Sequence, residues 1–320
     1  MTLTPPVFLA PLAGITDLPF RTLVAGFGAG LVVSEMVASQ ELVTARPSAK
    51  ARARLELGLG CARTAVQLAG REPHWMAEAA RMAEAQGARL IDINMGCPAK
   101  KVVNGYSGSA LLRDLDHALR LIDAVVGAVK VPVTLKTRLG WDDDLMNAPD
   151  LAVRAEAAGA QMITIHGRTR CQFYKGRADW AAIRRVKEAV KIPVVANGDI
   201  TDSRAAGRAL ALSGADGVMI GRGAQGRPWL LAQVGADLFS SARPQVPEGA
   251  ALGDLVAGHY EAMLSFYGAD LGLRTARKHL GWYCDAAGTA SALRQELLTL
   301  ADPAAVLRRL PCAFDERLAA

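Results

Sequence analysis

Cysteine is scarce in this sequence and follows no pattern. The 320 residues include only five cysteines, an odd number that is widely spaced and contains no C-x-x-C pair: Cys61, Cys97, Cys171, Cys284 and Cys312. This spacing argues against both a disulfide framework and a zinc site. We expect most of these thiols to be small buried hydrophobic side chains, with room for one that is reactive.

Long hydrophobic runs are also missing. The longest stretch without a charge, Met1–Thr16, contains three prolines and has no basic lead-in, so it predicts neither a membrane span nor a signal peptide. With 51% hydrophobic and 21% charged residues, the chain is expected to fold around a sizeable core. These features predict a cytoplasmic globular protein with no membrane partner.

Several well-known motifs are absent as well. No G-x-G-x-x-G follows the first apolar run, and no Walker A or G-x-S-x-G sequence occurs. The five histidines show no i, i+4 pairing, and the run Asp142-Asp143-Asp144 lacks an EF-hand frame. We therefore expect no bound metal.

The charge is modestly positive and uneven. The chain carries +6 in total, with +7 over residues 1–240 and −1 over residues 241–320, and arginine outnumbers lysine 28 to 9. A genome that favours arginine codons would give this balance. A partner rich in phosphate would give it too, because the arginine fork matches phosphate oxygens.

Repeated phrases set the expected fold. Gly-Ala-x followed by an apolar run occurs at Gly28, Gly87, Gly159 and Gly214, and Lys-[Val/Ile]-Pro-Val occurs at Lys130 and Lys191; with the runs near Val7 and Thr64 there are eight. The runs lack strict alternation, as buried parallel strands do, and helical stretches separate most of them. Eight such units predict an α/β fold, a (β/α)8 TIM barrel, with a doubly wound sheet as the alternative.

The last part of the chain has a different character. Ser240–Gly249 reads as a linker, and no strand signals follow it. We expect helices over 251–267, 270–286, 290–300 and 302–310, which gives a catalytic barrel over 1–240 and a small all-α helical-bundle domain over 250–320.

Polar residues cluster where the predicted strands end. Seven of the eight ends carry a side chain that can ionise or hydrogen-bond, and chemistry in such barrels lies at these ends. The last two ends are rich in glycine, in ANGDI (196–200) and IGRGAQG (220–226), which indicates a phosphate-bearing ligand. The ends that bear polar side chains include Gln67, Asn94, Lys136, His166, Asn197 and Arg222.

Cys97 has the most informative setting of the cysteines. It follows the fourth predicted strand in a Gly-Cys-Pro turn, with Lys100 and Lys101 close behind it. Nearby cations favour a thiolate, but a cysteine can also donate a proton. The position alone leaves open a catalytic role and a structural one.

These segments together resemble the bacterial tRNA-dihydrouridine synthase family, and most closely its B-type branch. The stretch NMGCP with a following lysine and GSALL is the most specific part, while Gly105-Tyr106-Ser107 before GSALL departs from the smaller residues usual there. The resemblance covers nearly the whole chain, in APLAGITDLPFR (10–21), SEMV (34–37), QLAG (67–70), INMGCPAKKV (93–102), GSALL (108–112), TLKTRLGW (134–141), TIHGRTR (164–170), VVANGDI (194–200), GVMIGRGAQGRPW (217–229) and RKHLGWY (277–283).

The resemblance implies an FMN-binding barrel in which NADPH reduces the flavin and the flavin reduces the C5=C6 bond of a D-loop uridine in tRNA. Cys97 would protonate C5, which requires a neutral thiol, so Lys100 and Lys101 should not lie against its sulfur. Asn94 and Arg138 would hold the uracil edge. The flavin would be held by Pro11, Leu12 and Ala13 through their backbone, by Gln67 and Lys136 at the polar edge of the ring, and by His166, Asn197, Gly198, Asp199, Gly221 and Arg222 along the ribityl chain and phosphate.

The same resemblance implies that some of the basic residues bind tRNA. On a tRNA enzyme the charged runs are candidate phosphate contacts, although each alone could be a solvated face. The expected contacts are Arg46, Lys50, Arg52 and Arg54; Arg168, Arg170, Lys175 and Arg177; and, in the helical domain, Arg274, Arg277, Lys278 and His279. A monomer would suit a one-to-one complex with tRNA.

Two other functions remain open from the sequence. One is an FMN-dependent TIM-barrel oxidoreductase that acts on a free pyrimidine and needs no helical tail. The other is a tRNA-binding protein without turnover, against which Cys97, Lys136 and His166 all remain in place.

Overall fold

One parallel sheet carries all the strands of the computed structural model, which describes residues 3–44 and 64–314. Its strands are buried along nearly their whole length, as expected for a sheet covered on both faces. In chain order they are β1 (Val7–Leu9), β2 (Leu31–Val33), β3 (Val37–Ala38), β4 (Thr64–Ala69), β5 (Ile91–Met95), β6 (Val133–Arg138), β7 (Ile163–His166), β8 (Val194–Asn197) and β9 (Gly217–Ile220).

The sheet closes into a barrel. The first strand pairs with β2 on one side and with β9 on the other, where Val7 lies opposite Val218. Strand β2 continues to β4, and β4 through β9 pair in sequence order. The short β3 pairs only with the end of β4, with Val37 opposite Leu68, and stands outside the ring of eight. The predicted eight-stranded TIM barrel is confirmed, and β3 is an addition that the sequence analysis did not predict.

Helices connect the strands and complete the chain. Two short 3-10 helices, Gly108–Arg113 and Arg222–Ala224, lie after β5 and β9. The α-helices of the described residues are α1 (Leu18–Phe27), α2 (Ser39–Val43), α3 (Pro73–Ala85), α4 (Lys100–Val103), α5 (Leu115–Val126), α6 (Ala148–Ala157), α7 (Trp180–Ala189), α8 (Ser203–Ser213), α9 (Leu230–Phe239), α10 (Gly249–Tyr267), α11 (Ala269–Ala287), α12 (Ser291–Thr299) and α13 (Pro303–Phe314).

Aspartates fix where several helices begin. Asp17, Asp114, Asp179 and Asp202 each accept a hydrogen bond from the backbone N–H three residues further on. Each carboxylate satisfies a donor that the first turn would otherwise leave unpaired. The turn from loop to helix is therefore encoded locally at α1, α5, α7 and α8.

The four C-terminal helices, α10 to α13, form a tail with a core of its own. Val256, Tyr260, Leu280 and Leu310 are buried in this core. Helix α13 continues past the predicted end at residue 310 to Phe314, the last residue that the structure describes. It does so although Pro311 lacks an N–H to donate, because residues beyond the proline pack on the tail core. Within the described ranges no helix has the length and apolar character needed to cross a membrane.

The tail is joined to the barrel at α1. The hydroxyl of Tyr267 donates to the Asp17 carboxylate at 3.0 Å, so one aspartate both caps α1 and holds the tail. The ring of Phe20 lies 4.9 Å from that of His279 and 5.8 Å from that of His259. Aromatic packing and the bond from Tyr267 to Asp17 therefore tie α10 and α11 to the loop and helix that follow β1.

Candidate active site at the carboxyl ends of the strands

A cavity of about 910 Å³ opens at the carboxyl ends of the strands. It has the size of a site for a cofactor or small ligand. The structure brings to its wall every residue that the sequence analysis assigned to the flavin, together with Cys97, Asn94 and Arg138. These are Pro11, Leu12, Ala13, Gln67, Asn94, Cys97, Lys136, Arg138, His166, Asn197, Gly198, Asp199, Gly221 and Arg222.

A chain of side-chain amides crosses the floor of the cavity. The Nδ2 of Asn94 donates to Oε1 of Gln67 at 2.8 Å, and Oδ1 of Asn94 accepts from the backbone N–H of Cys97 at 3.0 Å. On its other side Gln67 donates through Nε2 to Asp92 at 2.7 Å. Asp92 is 3% exposed and was missed by the sequence analysis, which treated it as part of an apolar run.

The loop of Cys97 is held by its backbone. The carbonyl of Cys97 accepts from the Ser109 hydroxyl at 2.9 Å and from the Ser109 N–H at 3.1 Å. Together with the bond from Asn94, these contacts fix the half-buried thiol at the edge of the cavity. Lys100 and Lys101, by contrast, are exposed at the start of α4.

Buried cations surround the centre of the cavity. Burial first, and then the neighbouring Arg138, lower the pKa of Lys136 to about 8, and the charge of Asp92 partly opposes them. Burial also lowers the pKa of Arg138 to about 10. The pKa of His166 lies well below its usual value, through burial first and then through these cations, so His166 is neutral at pH 7.

Arg138 fastens two loops to the barrel. Its Nε donates to the carbonyl of Gly96 at 2.8 Å, and its Nη1 donates to those of Thr169 and Phe173 at 2.9 and 2.8 Å. The guanidinium also lies 5.5 Å from the Tyr174 ring. The residue assigned to the uracil edge is thus also the link between the Cys97 loop and the loop after β7.

An ion pair between the buried Arg168 and the partly exposed Asp199 organises the glycine-rich end of β8. Asp199 receives two hydrogen bonds from Arg168, at 2.6 and 3.0 Å, and one from the Ala178 N–H at 2.8 Å. Burial alone would raise the pKa of Asp199, but the bonds from Arg168 and Ala178 outweigh it and hold that pKa below its usual value. Arg222 lies 3.5 Å from the same carboxylate with its side chain 61% exposed.

Gly198 leaves bare backbone beside this ion pair. Its φ is 114°, and a Cβ there would come within 2.6 Å of the His166 ring. Only glycine fits this position, because both the backbone angle and the neighbouring ring exclude a side chain. The main chain therefore reaches the cavity without a covering side chain.

The basic residues after β7 differ from one another in burial. Arg168 was expected to contact tRNA, but its side chain is 2% exposed and its guanidinium also bonds to the carbonyls of Lys175 and Gly176. It is therefore placed to position Asp199 rather than to reach a partner on the surface. Arg170 is half-buried over the Trp141 ring at 4.8 Å, whereas Lys175 and Arg177 are exposed.

The residues of the tail that were expected to contact tRNA also differ in burial. Arg274 and Lys278 are exposed, and Lys278 reaches back beside Gly14 in the loop after β1. Arg277 is half-buried and donates to the Leu300 carbonyl at 3.3 Å. His279 is only 2% exposed, so the interpretation of His279 as a tRNA contact is wrong: its ring belongs to the packing between tail and barrel. The run Arg46, Lys50, Arg52 and Arg54 lies outside the described residues.

Two aromatic side chains at the cavity mouth were missed. Phe173 and Tyr174 line the cavity yet are 44% and 48% exposed. Their rings meet edge to face at 4.7 Å. Adjacent aromatics in an otherwise polar loop, QFYKG, were the available signal. Among the described residues no group of three or more histidine, cysteine or acidic side chains could hold a metal ion.

A closed parallel barrel with a cavity at the carboxyl ends of its strands is the architecture of the TIM-barrel enzymes. Two solved structures share it at low sequence identity, which speaks for the fold alone. The histamine dehydrogenase from Rhizobium sp. 4-9 matches 82% of this chain with a TM-score of 0.55 and 13% identity, and a 2-naphthoyl-CoA reductase matches 72% with a TM-score of 0.58 and 14% identity. The chain spans half the length of each.

Sequence comparison then gives the family. The model of the dihydrouridine synthase family matches residues 8–318. A probable tRNA-dihydrouridine synthase of Rhodobacter capsulatus is 64% identical over the whole chain and 98% of the relative, and one of Rhizobium leguminosarum is 55% identical over 97% of the chain and 95% of the relative. A tRNA-dihydrouridine synthase B of Xanthomonas campestris is 50% identical over 88% of the chain and 84% of the relative. The chain belongs to the dihydrouridine synthase family, so the expected family and an oxidoreductase activity are confirmed.

Proposed function

We propose that the chain is an FMN-dependent tRNA-dihydrouridine synthase that uses NADPH to reduce the C5=C6 bond of a D-loop uridine. The observation that carries this proposal is the convergence of Cys97, Lys136 and the amides of Gln67 and Asn94 on one cavity. Membership of the family supports it independently, since the relatives are named for this reaction.

The residues around the cavity fit a phosphorylated flavin. Lys136 supplies a buried positive charge on one side, and Arg222 with the bare backbone of Gly198 supplies an anion-binding corner on another. The volume of about 910 Å³ accommodates a ligand of this size. In this assignment Gln67 and Lys136 meet the polar edge of the ring, and His166, Asn197, Asp199 and Gly221 hold the ribityl chain and phosphate, while Pro11, Leu12 and Ala13 line the ring with backbone.

When bound and reduced by NADPH, FMN supplies the hydride that C6 of the uracil receives. Lys136 keeps its proton at pH 7, because its pKa of about 8 lies above that pH, and it offsets the negative charge of a reduced flavin. Cys97 donates its proton to C5 as a general acid, and the resulting thiolate regains a proton from solvent. Asn94 and Arg138 hold the uracil edge.

The proposed domains divide the work. The barrel, residues 1–240, binds FMN and performs the reduction, and the helical domain, residues 250–320, binds tRNA. The exposed cations Lys175, Arg177, Arg274 and Lys278 are the phosphate contacts, with Arg170 and Arg277 contributing from half-buried positions. The target uridine must leave its stack to enter the cavity. The protein acts in the cytoplasm as a monomer.

The test is the formation of dihydrouridine in tRNA that lacks it. The purified protein is incubated with FMN, NADPH and this tRNA, and dihydrouridine is mapped by position, with Cys97→Ala in parallel. Dihydrouridine at defined D-loop positions that depends on Cys97 is the expected result. NADPH oxidation that leaves every tRNA uridine intact would overturn the substrate, and turnover of free uracil or dihydroorotate would favour a free pyrimidine instead.

A further inference from the structure

Asp92 lies inside the barrel, below the cavity floor. Its Oδ2 accepts from Nε2 of Gln67 at 2.7 Å, and its Oδ1 accepts from the hydroxyl of Thr134 at 2.7 Å. On balance the pKa of Asp92 is raised, because burial outweighs the lowering effects of the bonds from Gln67 and Thr134 and of the charge of Lys136. Asp92 does not line the cavity, so it acts on a ligand only through the residues it holds.

The hydrogen bonds that connect Asp92 to Cys97 through Gln67 and Asn94 all run in one direction. Towards Gln67 the Asp92 oxygen is an acceptor, so the amide of Gln67 must turn its nitrogen to Asp92 and its oxygen to Asn94. At the far end the backbone N–H groups of Gly96 and Cys97 are donors, so Asn94 must turn its oxygen to them and its nitrogen to Gln67. The acceptor at one end and the donors at the other give the same assignment for both amides.

This direction decides what the cavity offers a ligand. The Gln67 nitrogen has two hydrogens and gives one to Asp92, so its second N–H is available to the cavity. The Asn94 nitrogen gives one to Gln67, and its second faces only the sulfur of Met36 at 3.9 Å. Both amides therefore present donors, which suit the carbonyl oxygens of a flavin or uracil ring.

We propose that Asp92 is a positioning residue that pins the amide of Gln67 with its N–H towards the cavity and, through Asn94, steadies the backbone of Cys97. The part that concerns FMN rests on the proposed function. The part that concerns Cys97 does not, since it follows from hydrogen bonds within the protein.

Two substitutions of Asp92 separate its role as an acceptor from its charge. Asp92→Asn keeps an oxygen that can face Gln67 and loses the charge, whereas Asp92→Leu has a similar volume and no acceptor. Thr134→Val is the matched control, because it removes a bond to Asp92 in the same buried layer and leaves the Gln67 contact intact. If Asp92→Leu does not fold, Gln67→Met takes its place. This substitution removes the hydrogen bonds that Gln67 makes to Asp92 and Asn94, and its effect on the reactivity of the Cys97 thiol is measured in the same way.

The first measurement is the Kd for FMN, from fluorescence titration of FMN-free protein. We expect roughly tenfold weaker binding in Asp92→Leu, the effect of one lost hydrogen bond, and a change of less than about threefold in Asp92→Asn and Thr134→Val. The second is the alkylation rate of Cys97 by iodoacetamide in FMN-free protein, followed on the Cys97 peptide by mass spectrometry. We expect a rise of roughly threefold in Asp92→Leu or Gln67→Met only, since a neutral hydrogen bond is lost in each.

Specific results would overturn the proposal. Wild-type Kd and alkylation rate in folded Asp92→Leu would show that Asp92 positions nothing, and losses in Asp92→Asn equal to those in Asp92→Leu would show that only its charge matters. If the wild-type protein binds no FMN, the proposed function fails, and the alkylation rates alone still decide the role of Asp92.

Discussion

The buried ring of His279 makes the stability of the protein depend on pH in a way that can be calculated. Burial lowers its pKa from 6.5 to about 4, and the backbone of Ile15 only partly opposes this. Between these values the unfolded chain binds a proton that the folded protein refuses, so stability falls as the pH drops from about 6.5 towards 4. For one such group the loss is about 2 kcal/mol at pH 5 relative to pH 7 or above.

The perturbation that isolates this effect is His279→Phe, which keeps a ring between Phe20 and Trp282 and removes the titration. Urea unfolding of FMN-free wild type and variant is measured at pH 7.5 and pH 5 in one buffer system. The variant should gain about 2 kcal/mol on the wild type over this interval. Asp17, whose burial raises its pKa to about 6, titrates with the opposite sign in both proteins and cancels in the difference.

The control for adding a phenylalanine is Leu212→Phe, at an exposed position of α8, which removes no titratable group and should leave the pH dependence unchanged. If the difference between wild type and His279→Phe is the same at both pH values, the ring of His279 is not held neutral in the folded protein. The account of its packing between the tail and the barrel would then be wrong.

Three further predictions concern the candidate active site and the contact between the tail and the barrel. Cys97→Ala should lower the rate of dihydrouridine formation by about 100-fold or more, while NADPH oxidation in the absence of tRNA stays at the wild-type rate. An equal loss of both rates would show that Cys97 is not the proton donor. Asp199→Asn should lower the free energy of unfolding in urea by about 3 kcal/mol, because the buried Arg168 loses its charged partner. Asp116→Asn, at an exposed ion pair, should cost less than about 1 kcal/mol, and similar costs for the two variants would show that the burial of Arg168 does not matter. Tyr267→Phe should cost about 1 kcal/mol in the same assay through the lost hydrogen bond to α1, and no cost would mean that this bond does not hold the tail.

The repeat pattern was sufficient to predict the barrel because most strands are rich in apolar residues and several connections end on a recognisable turn. Gly28 and Gly214, for example, end α1 and α8 as left-handed C-caps. The two-residue β3 was not predictable, since Val37–Ala38 pairs only with the far end of β4 and gains its structure from that neighbour. The 3-10 helix Gly108–Arg113 comes directly before α5 and was not predictable, because apolar spacing does not reveal a change of helix type within a few residues.

The cavity was predictable from the strand ends, but the burial of individual charges was not. Arg168 and Arg170 sit in one short polar segment, and only the fold shows that the first turns inward to Asp199. Asp92 was hidden inside the run LIDIN, although a carboxylate two residues before Asn94 on a strand must share its face. The sequence signal was an acid in a buried strand, and its meaning depended on Gln67 from the neighbouring strand.

The pairing of β1 with β9 has a consequence for folding during synthesis on the ribosome. The first strand leaves the exit tunnel long before its partner exists, and the Tyr267 hydroxyl that completes the cap of α1 follows Asp17 by 250 residues. Throughout that interval the apolar edge of β1 has no neighbour on one side, and such an edge is prone to pair with other chains. Because contacts so distant in sequence form slowly, nascent chains that stop before residue 220 should depend on chaperones far more than the finished protein does.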